Sequence, residues 1–209
     1  MRKARTVIGI LVMAVLGLCA VSALAAQGDF SGTWILDKKK TRSLPTGVEN
    51  YTMVVKQTDA QLVVDNHLGG EVVAKANDTH LGGGGVMEGL GGGGGGYKAG
   101  TLALSSTNPH VEYSLDGEET TGPAVIPNFK LKLKAKLGKD GRSLELSQVQ
   151  QEANGSRGVS VSATLKERWT LSGDGRVLKV QRTVANGAGT DTIVLIFEKG
   201  QDNPAAPQP

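Results

Sequence analysis

Hydrophobic and polar residues alternate in short runs through the second half of the chain. From Phe129 to Leu137, a lysine occupies every second position between apolar residues. A period of two is typical of a β-strand with one buried face and one solvated face. Valine, leucine and threonine recur in such runs beside abundant glycine, and long helical patterns are absent from the sequence. The pattern therefore predicts an all-β domain.

Four Asp-Gly or Asn-Gly pairs separate five runs: Asp140-Gly141, Asn154-Gly155, Asp174-Gly175 and Asn186-Gly187. Both pairs favour two-residue hairpin turns, because both turn positions need a positive φ. If each pair is such a turn, all four registers keep one face apolar, which predicts a five-stranded antiparallel meander. The predicted facing pairs are Leu137–Leu144, Ala135–Leu146, Leu144–Leu165, Leu146–Ala163, Leu171–Leu178, Trp169–Val180, Val180–Ile193 and Leu178–Leu195, and the same inner face includes Leu131, Leu133, Val159 and Val161.

The first half adds shorter strand signals. A strand from about Gly32 to Leu36 is followed by a polar loop, and residues 82–96, mostly glycine, are expected to be a flexible insertion. Further strands are predicted at 50–57, 61–67, 71–77, 99–107 and 110–116. With about ten strands, the single antiparallel up-and-down sheet is predicted to close into a barrel of about 8–10 strands, which removes its edges.

The N-terminus has the composition of a secretory signal. Three basic residues precede an apolar run from Val7 to about Leu24, and Ala23-Leu24-Ala25 supplies the small residues that a signal peptidase recognises. The alternative is a membrane anchor, because the run approaches the ~18 residues that could span a bilayer. Polar chain begins without flanking charge at Gln27, so we expect a signal peptide over 1–26 and a periplasmic or extracellular protein. The barrel domain is predicted over 27–200, and the tail 201–209 is expected to be disordered.

Cysteine and charge narrow the possible partners. Cys19, the only cysteine, leaves with the signal, so the mature chain has no disulfide. Three of the 23 basic residues also leave, and the remaining 20 balance the 20 acidic residues. Net charge therefore gives no argument for a nucleic acid or an anionic membrane, and we expect no membrane span in the mature chain. The oligomeric state stays open.

A lysine stripe on the strand from Phe129 has two interpretations. The stripe is either a site for a polyanion or a solvated outer face, and the absence of stacking aromatics favours the solvated face. Its members are Lys130, Lys132, Lys134 and Lys136.

Motifs for metal, cofactor or catalysis are not recognisable in the sequence. The histidines His67, His80 and His110 have no second ligand at the spacing of a metal motif. The glycine tract ends without the Gly-Lys-Ser/Thr sequence and helix of a P-loop. No Ser–His–Asp or Cys–His set can be named. We therefore expect no metal, no cofactor and no enzymatic activity.

Polar residues on the predicted inner face are the strongest functional signal. Glu167 and Arg182 both lie in the apolar phase, and the Asp174-Gly175 turn places them opposite each other. The next turn places Asp191 on the other side of Arg182. Such residues form either a satisfied ion pair that closes one barrel end or a polar anchor in a ligand cavity. The candidate ligand-binding residues are Gln148, Gln150, Glu167, Trp169, Arg182 and Asp191.

The opening FSGTWILD resembles the first strand of lipocalin-like and fatty-acid-binding barrels, the calycins, through the triplet Gly32-Thr33-Trp34. The closing IVLIFEKG resembles the last strand of the fatty-acid-binding branch, and ERWTLSGDGRVLKVQRTV resembles bacterial exported lipocalin-like proteins. The fatty-acid-binding branch holds a carboxylate with an Arg-x-Tyr pair, where this chain has Leu195 and Phe197. Residues 37–49 are too few for the two-helix lid of that branch. The resemblance therefore implies a ligand that is neutral or weakly polar rather than a fatty acid.

Two functions follow from these observations. The first is an exported barrel that binds a small apolar or weakly polar molecule, because about ten strands enclose more space than the eight that side chains just fill. The alternative is a structural or interaction protein of the cell envelope, whose barrel is filled and holds no ligand. The sequence leaves the identity of a ligand open.

Overall fold

A computed structural model describes residues 28–70, 108–123, 129–152, 161–186 and 189–200. Within these ranges the chain forms ten β-strands and no helix, as the alternating pattern predicted. The strands are β1 Gly32–Leu36, β2 Val48–Gln57, β3 Gln61–Gly70, β4 His110–Ser114, β5 Thr120–Pro123, β6 Phe129–Leu137, β7 Ser143–Glu152, β8 Val161–Leu171, β9 Val177–Asn186 and β10 Gly189–Lys199.

The ten strands form one antiparallel up-and-down sheet that is nearly closed into a barrel. The last strand, β10, returns to pair with β1, and the sheet continues through β2 and β3 to β4. The other edge is β5, which pairs with β6. The edge strands β4 and β5 are consecutive in the chain and approach each other. We call the gap between them the seam.

The core lies inside the barrel, on the face that the alternation predicted to be apolar. On β6, the side chains of Leu131, Leu133 and Ala135 are buried, whereas the lysines between them lie on the outer face. One of those lysines, Lys132, forms an ion pair of 2.7 Å with Glu119. The largest fully buried apolar side chains are Phe30, Trp34, Tyr51, Met53, Leu62, Tyr113, Leu144, Trp169, Leu178 and Phe197.

Two of the four predicted hairpin registers are confirmed. Leu137 faces Leu144 and Leu171 faces Leu178, as the two Asp-Gly pairs predicted. Both turn glycines have a positive φ, 65° at Gly141 and 70° in the turn after β8. In each turn the aspartate side chain accepts hydrogen bonds from nearby backbone N–H and serine groups. The Asp-Gly pairs therefore predicted the correct register, but the turns are not the predicted two-residue type, because Asp140 and Asp174 do not have a positive φ.

The predicted register between β7 and β8 is wrong by four residues. Leu144 faces Trp169 rather than Leu165, and Leu146 faces Glu167 rather than Ala163. Because side chains alternate with a period of two, a shift by an even number leaves the same face inside, and hydrophobicity cannot detect it. The connection that contains Asn154-Gly155 lies outside the described residues, as does Val159.

The predicted register between β9 and β10 is wrong by two residues. The closing pair is Asn186 and Gly189. As a result Asp191 faces Val184, and Ile193 stands where Asp191 was expected, opposite Arg182. The physical reason is again an even shift, which preserves the apolar face. The corrected pairs are Val180–Leu195 and Leu178–Phe197.

The predicted strands of the first half are confirmed where the structure describes them. The strands at 50–57 and 61–67 correspond to β2 and β3, and the strand predicted at 110–116 ends at Ser114. The short strand β5 was missed, because its sequence Thr-Thr-Gly-Pro is typical of a turn. Several predicted segments lie outside the described residues: the signal peptide over 1–26, the strands at 71–77 and 99–107, the glycine tract 82–96 and the tail from 201.

The segment Gly28–Ser31 crosses one end of the barrel before β1 begins. The Gly28 N–H donates to the carbonyl oxygen of Gly141 in the β6–β7 turn, at 2.6 Å. On the other side, Phe30 N donates to Gln57 Oε1 at 3.0 Å, and the Phe30 side chain is fully buried. A Cβ on Gly28 would lie 2.0 Å from the Gly141 oxygen, so this approach requires glycine. We call this the plugged end, and the opposite end the far end.

Candidate functional site

Glu167 and Arg182 form a buried ion pair at the centre of the described interior. They face each other on β8 and β9, as the sequence predicted. Arg182 is 1% exposed and Glu167 is 7% exposed. Arg182 Nε donates to Glu167 Oε1, and the indole Nε1 of Trp169 donates to Glu167 Oε2 at 2.9 Å. Both carboxylate oxygens therefore accept a hydrogen bond, as a buried charge requires.

Arg182 also reaches across the interior to β2. Its Nη2 donates to the hydroxyl of Tyr51 at 2.7 Å, and the guanidinium carbon lies 5.5 Å from the centroid of the Tyr51 ring. The Tyr51 hydroxyl in turn donates to Asn66 Oδ1 on β3 at 3.0 Å. The hydrogen bonds thus link two sides of the sheet that are separated by β10 and β1.

The same chain of hydrogen bonds continues to the seam. Asn66 Nδ2 donates to the carbonyl oxygen of Asn108 at 3.0 Å, and Asn108 Nδ2 donates to Gln148 Oε1 at 3.1 Å. Gln148 Nε2 then donates to the hydroxyl of Tyr113 at 2.7 Å. Because Gln148 lies on β7 and Tyr113 on β4, these side chains bridge the seam. We define the polar network as Glu167, Trp169, Arg182, Tyr51, Asn66, Asn108, Gln148 and Tyr113.

Burial and neighbouring charge determine the protonation of the network. Burial alone would lower the pKa of Arg182, but the Glu167 carboxylate and the Tyr51 hydroxyl raise it above its ordinary value. Burial raises the pKa of the Tyr113 hydroxyl, and the charge of Glu167 raises it further. Arg182 is therefore a cation beside a carboxylate, and Tyr113 keeps its proton. The ion pair has no net charge to offer a ligand.

The two sides of the network differ in the side chains they carry. Towards the plugged end lie large aromatic rings; Phe30 and Trp169 stack at a tilt with centroids 6.1 Å apart. Towards the far end, the row next to the ion pair contains the aliphatic residues Leu133, Leu165 and Val184 together with the polar residues Thr120, Gln148 and Asp191. Beyond it, Ala163 is only partly buried. Along the barrel, the described interior therefore changes from aromatic residues to the ion pair and then to a mixture of aliphatic and polar residues.

Four of the six predicted site residues belong to the network: Gln148, Glu167, Trp169 and Arg182. The other two do not take part in the hydrogen bonds described above. Gln150 lies nearer the far end, where it faces Leu131 and is partly buried. The sequence analysis was wrong to place Asp191 beside Arg182, because the β9–β10 register is shifted.

Four network residues were missed: Tyr51, Asn66, Asn108 and Tyr113. Three of them carried a signal. Tyr51 alternates with Met53 and Val55, and Asn66 with Leu62 and Val64; Tyr113 lies two positions after the buried Val111. An alternation test on β2, β3 and β4 would have placed all three on the inner face. Asn108 precedes β4 and contributes partly through its backbone, so no residue pattern marks it.

His110 is the centre of an exposed cluster on the outer face of β3 and β4. Its Nδ1 lies 2.6 Å from Asp65 Oδ1, and its Nε2 lies 3.0 Å from Glu112 Oε1. Hydrogen bonds to the two carboxylates raise the pKa of His110. Within the described residues, no group of three histidine, cysteine or acidic side chains could hold a metal ion. His67 is exposed and His80 lies outside the described residues.

The fold places the chain in a broad structural class. A nearly closed, ten-stranded antiparallel barrel is consistent with the lipocalin-like architecture that β1 resembles. No family model matches the chain, and no curated protein is similar to it. In the part of the chain that the structure describes, no helix has the length and hydropathy to cross a membrane.

Proposed function

We propose that this protein is an exported, lipocalin-like barrel that binds a small, mostly apolar and uncharged molecule between the polar network and the far end. The observation that carries the proposal is the buried Glu167–Arg182 pair and its hydrogen bonds across an otherwise apolar interior. A few polar groups placed in a mostly apolar lining are typical of sites for small molecules.

The energetic cost of the pair supports this proposal. Two charges taken out of water lose several kcal/mol of hydration each, and well-packed apolar residues in their place are often neutral or stabilising. A barrel whose only task was to fold would not need a buried ion pair at these two positions. Such departures from the local pattern are expected at functional sites. We interpret the pair as the polar surface that a bound ligand would contact at the inner end of the site.

The charges favour a neutral ligand. Arg182 is compensated by Glu167, and both are bonded to other residues. On β10, Leu195 and Phe197 are fully buried apolar residues at the positions where fatty-acid-binding barrels carry their anion-binding pair. A carboxylate ligand would lose its hydration without gaining a free cation among these residues.

Export is part of the proposal. We propose cleavage of a signal peptide near Gln27 and a mature protein in the periplasm or outside the cell. Gly28 belongs to the folded domain, because its N–H bonds to Gly141 at the plugged end, so cleavage just before it would leave the described barrel intact.

A blocking variant tests the binding site. Ala163 lies on the inner face of β8 near the far end, and Thr164 follows it on the outer face. Apolar fluorescent probes such as diphenylhexatriene should bind saturably to the purified protein. Ala163→Phe should weaken that binding about tenfold or more by occupying the site, whereas Thr164→Phe should leave it unchanged.

The stability of the same variants distinguishes a barrel with a ligand cavity from a barrel filled by its own side chains. An added ring in a filled interior forces side chains off their preferred rotamers and costs about 1–3 kcal/mol. If Ala163→Phe is tolerated and removes probe binding, the site has room for a ligand. If it is strongly destabilising and the parent protein binds no probe, the binding proposal is wrong.

The second candidate is a structural or interaction protein of the cell envelope. Two observations favour it: six aromatic side chains are buried, and the polar groups of the ion pair satisfy each other. In that case the network would serve to fix the relative positions of the strands. This candidate would be supported if the protein bound no apolar probe and Ala163→Phe were strongly destabilising.

A further inference from the structure

Thr120 carries a buried polar atom that the polar network leaves unused. It is the first residue of β5, at the seam, and it faces the buried Leu133. Paired residues of an antiparallel sheet share a face, so the Thr120 side chain points inward. Among the described residues, Thr120 Oγ1 is the one buried side-chain nitrogen or oxygen without a hydrogen-bond partner. Such an atom needs an explanation, because a buried hydroxyl without a hydrogen-bond partner destabilises the fold.

A second hydroxyl on the other side of the seam has an unused hydrogen. Tyr113 accepts a hydrogen bond from Gln148 Nε2, and no acceptor in the described residues receives its own O–H. A tyrosine hydroxyl can accept and donate at the same time. Because burial raises its pKa, the hydroxyl keeps this hydrogen. Within the described ranges, the Tyr113 hydroxyl is therefore a donor without an acceptor.

The register brings both hydroxyls to the same part of the interior. Leu133 faces Thr120 on one side and Gln148 on the other, so Thr120 and Gln148 are two strands apart, roughly 10 Å. The hydroxyl of Tyr113 reaches Gln148 from β4, across the seam. Both hydroxyls thus lie on the inner face, one on each edge strand of the seam, next to the row that contains Leu133 and Gln148.

We propose that the seam binds the polar group of the ligand, and that this group is the carbonyl oxygen of a neutral ketone, ester or amide. A carbonyl oxygen has two lone pairs and can accept from both hydroxyls. A carboxylate is disfavoured, because the charge of Glu167 opposes a second negative charge near Tyr113, and the Arg182 cation, which acts in the opposite sense, is already paired with Glu167. The inference rests on the proposed function and adds to it the chemical class of the ligand.

Thr120→Val tests this assignment, because valine keeps the shape of threonine and removes only the hydroxyl. The probes are prodan, a neutral aromatic ketone whose emission shifts to the blue when its carbonyl loses hydrogen bonds, and diphenylhexatriene, a hydrocarbon. We expect Thr120→Val to weaken prodan binding about tenfold, equivalent to one hydrogen bond. Emission of bound prodan should shift to the blue, and diphenylhexatriene binding should not change. Thr121→Val, on the exposed outer face of the same strand, is the control.

Stability gives an independent readout of the same hydroxyl. Removing an unpaired buried hydroxyl stabilises the protein without ligand, so Thr120→Val should raise the Tm while it weakens prodan binding. If the Thr120 hydroxyl only stabilised the fold, its removal would lower both the Tm and prodan binding. Tyr113→Phe should also reduce prodan binding relative to diphenylhexatriene, although it removes an acceptor from Gln148 as well.

The outcomes separate the two proposals. If neither probe binds the parent protein, the proposed function fails and the inference fails with it. If both probes bind and Thr120→Val leaves their affinity ratio unchanged, the carbonyl assignment alone is wrong, and the hydroxyl faces water. A lower Tm in Thr120→Val would show that the hydroxyl has a partner in the protein and would also overturn the assignment.

Discussion

The guanidinium of Arg182 is where the interior hydrogen bonds of this barrel converge. It binds the Glu167 carboxylate on the neighbouring strand and the Tyr51 hydroxyl on the far side of β10 and β1. Removing one member of a buried ion pair leaves an unpaired charge, and the cost is larger than the net worth of the pair. The stability of the interior therefore depends on both partners being present.

Replacement of Arg182 by alanine should be strongly destabilising. We expect a loss of about 3–5 kcal/mol in the free energy of unfolding, because Glu167 would be buried without its cation. Denaturation in urea measures this change. Lys179→Ala, on the exposed face of the same strand, should change stability by less than about 0.5 kcal/mol.

The double variant Glu167→Gln, Arg182→Met should recover part of the loss, because it removes both charges together. A thermodynamic cycle of the single and double variants measures the coupling between the two positions. Full additivity would show that the two side chains do not interact.

At the scale of strands and hairpins, the turn residues determined how well the strand registers could be predicted. The two Asp-Gly pairs predicted the correct register, since each aspartate stabilises its turn locally. The registers predicted from the two Asn-Gly pairs were wrong by two and four residues. Such even shifts keep the same face inside, so the hydrophobic pattern does not reveal them. The inner face of each strand was therefore predictable, whereas the residue opposite a given position was predictable only beside a well-determined turn.

Acid should destabilise the two Asp-Gly hairpins. The serine hydroxyls of Ser143 and Ser172, followed by backbone N–H groups, lower the pKa of Asp140 and Asp174 below the ordinary value of 3.8. Stability from a lowered pKa is present above the ordinary value and is lost as the pH falls through the lowered one. We expect the Tm to fall below about pH 4.

The variant Asp140→Asn, Asp174→Asn should lose less of its Tm over this pH range than the parent protein. Thermal melts at raised ionic strength, which screens the overall charge, isolate the local effect. An equal fall in both proteins would show that the turn carboxylates do not supply the acid-sensitive stability.

At the scale of the whole molecule, the main feature is that the sheet curls into a nearly closed barrel. The sequence predicted an antiparallel meander of about ten strands, and the described ranges contain ten, with β10 paired to β1 and a seam between β4 and β5. Contacts across the interior were not predictable from alternation, which identifies a face but not the residues that meet across the barrel. The Asp174-Gly175 turn paired Arg182 with Glu167 correctly, whereas the contacts of Arg182 with Tyr51 and of Gln148 with Tyr113 cross the interior and no turn indicates them.

Native mass spectrometry of the protein purified from the exported fraction tests the central proposal most directly. We predict a chain that begins near Gln27 and carries one small molecule, which is released on denaturation and proves to be neutral and mostly apolar. A chain of bare mass, in a protein that also binds no apolar probe, would contradict the binding proposal and favour a filled structural barrel.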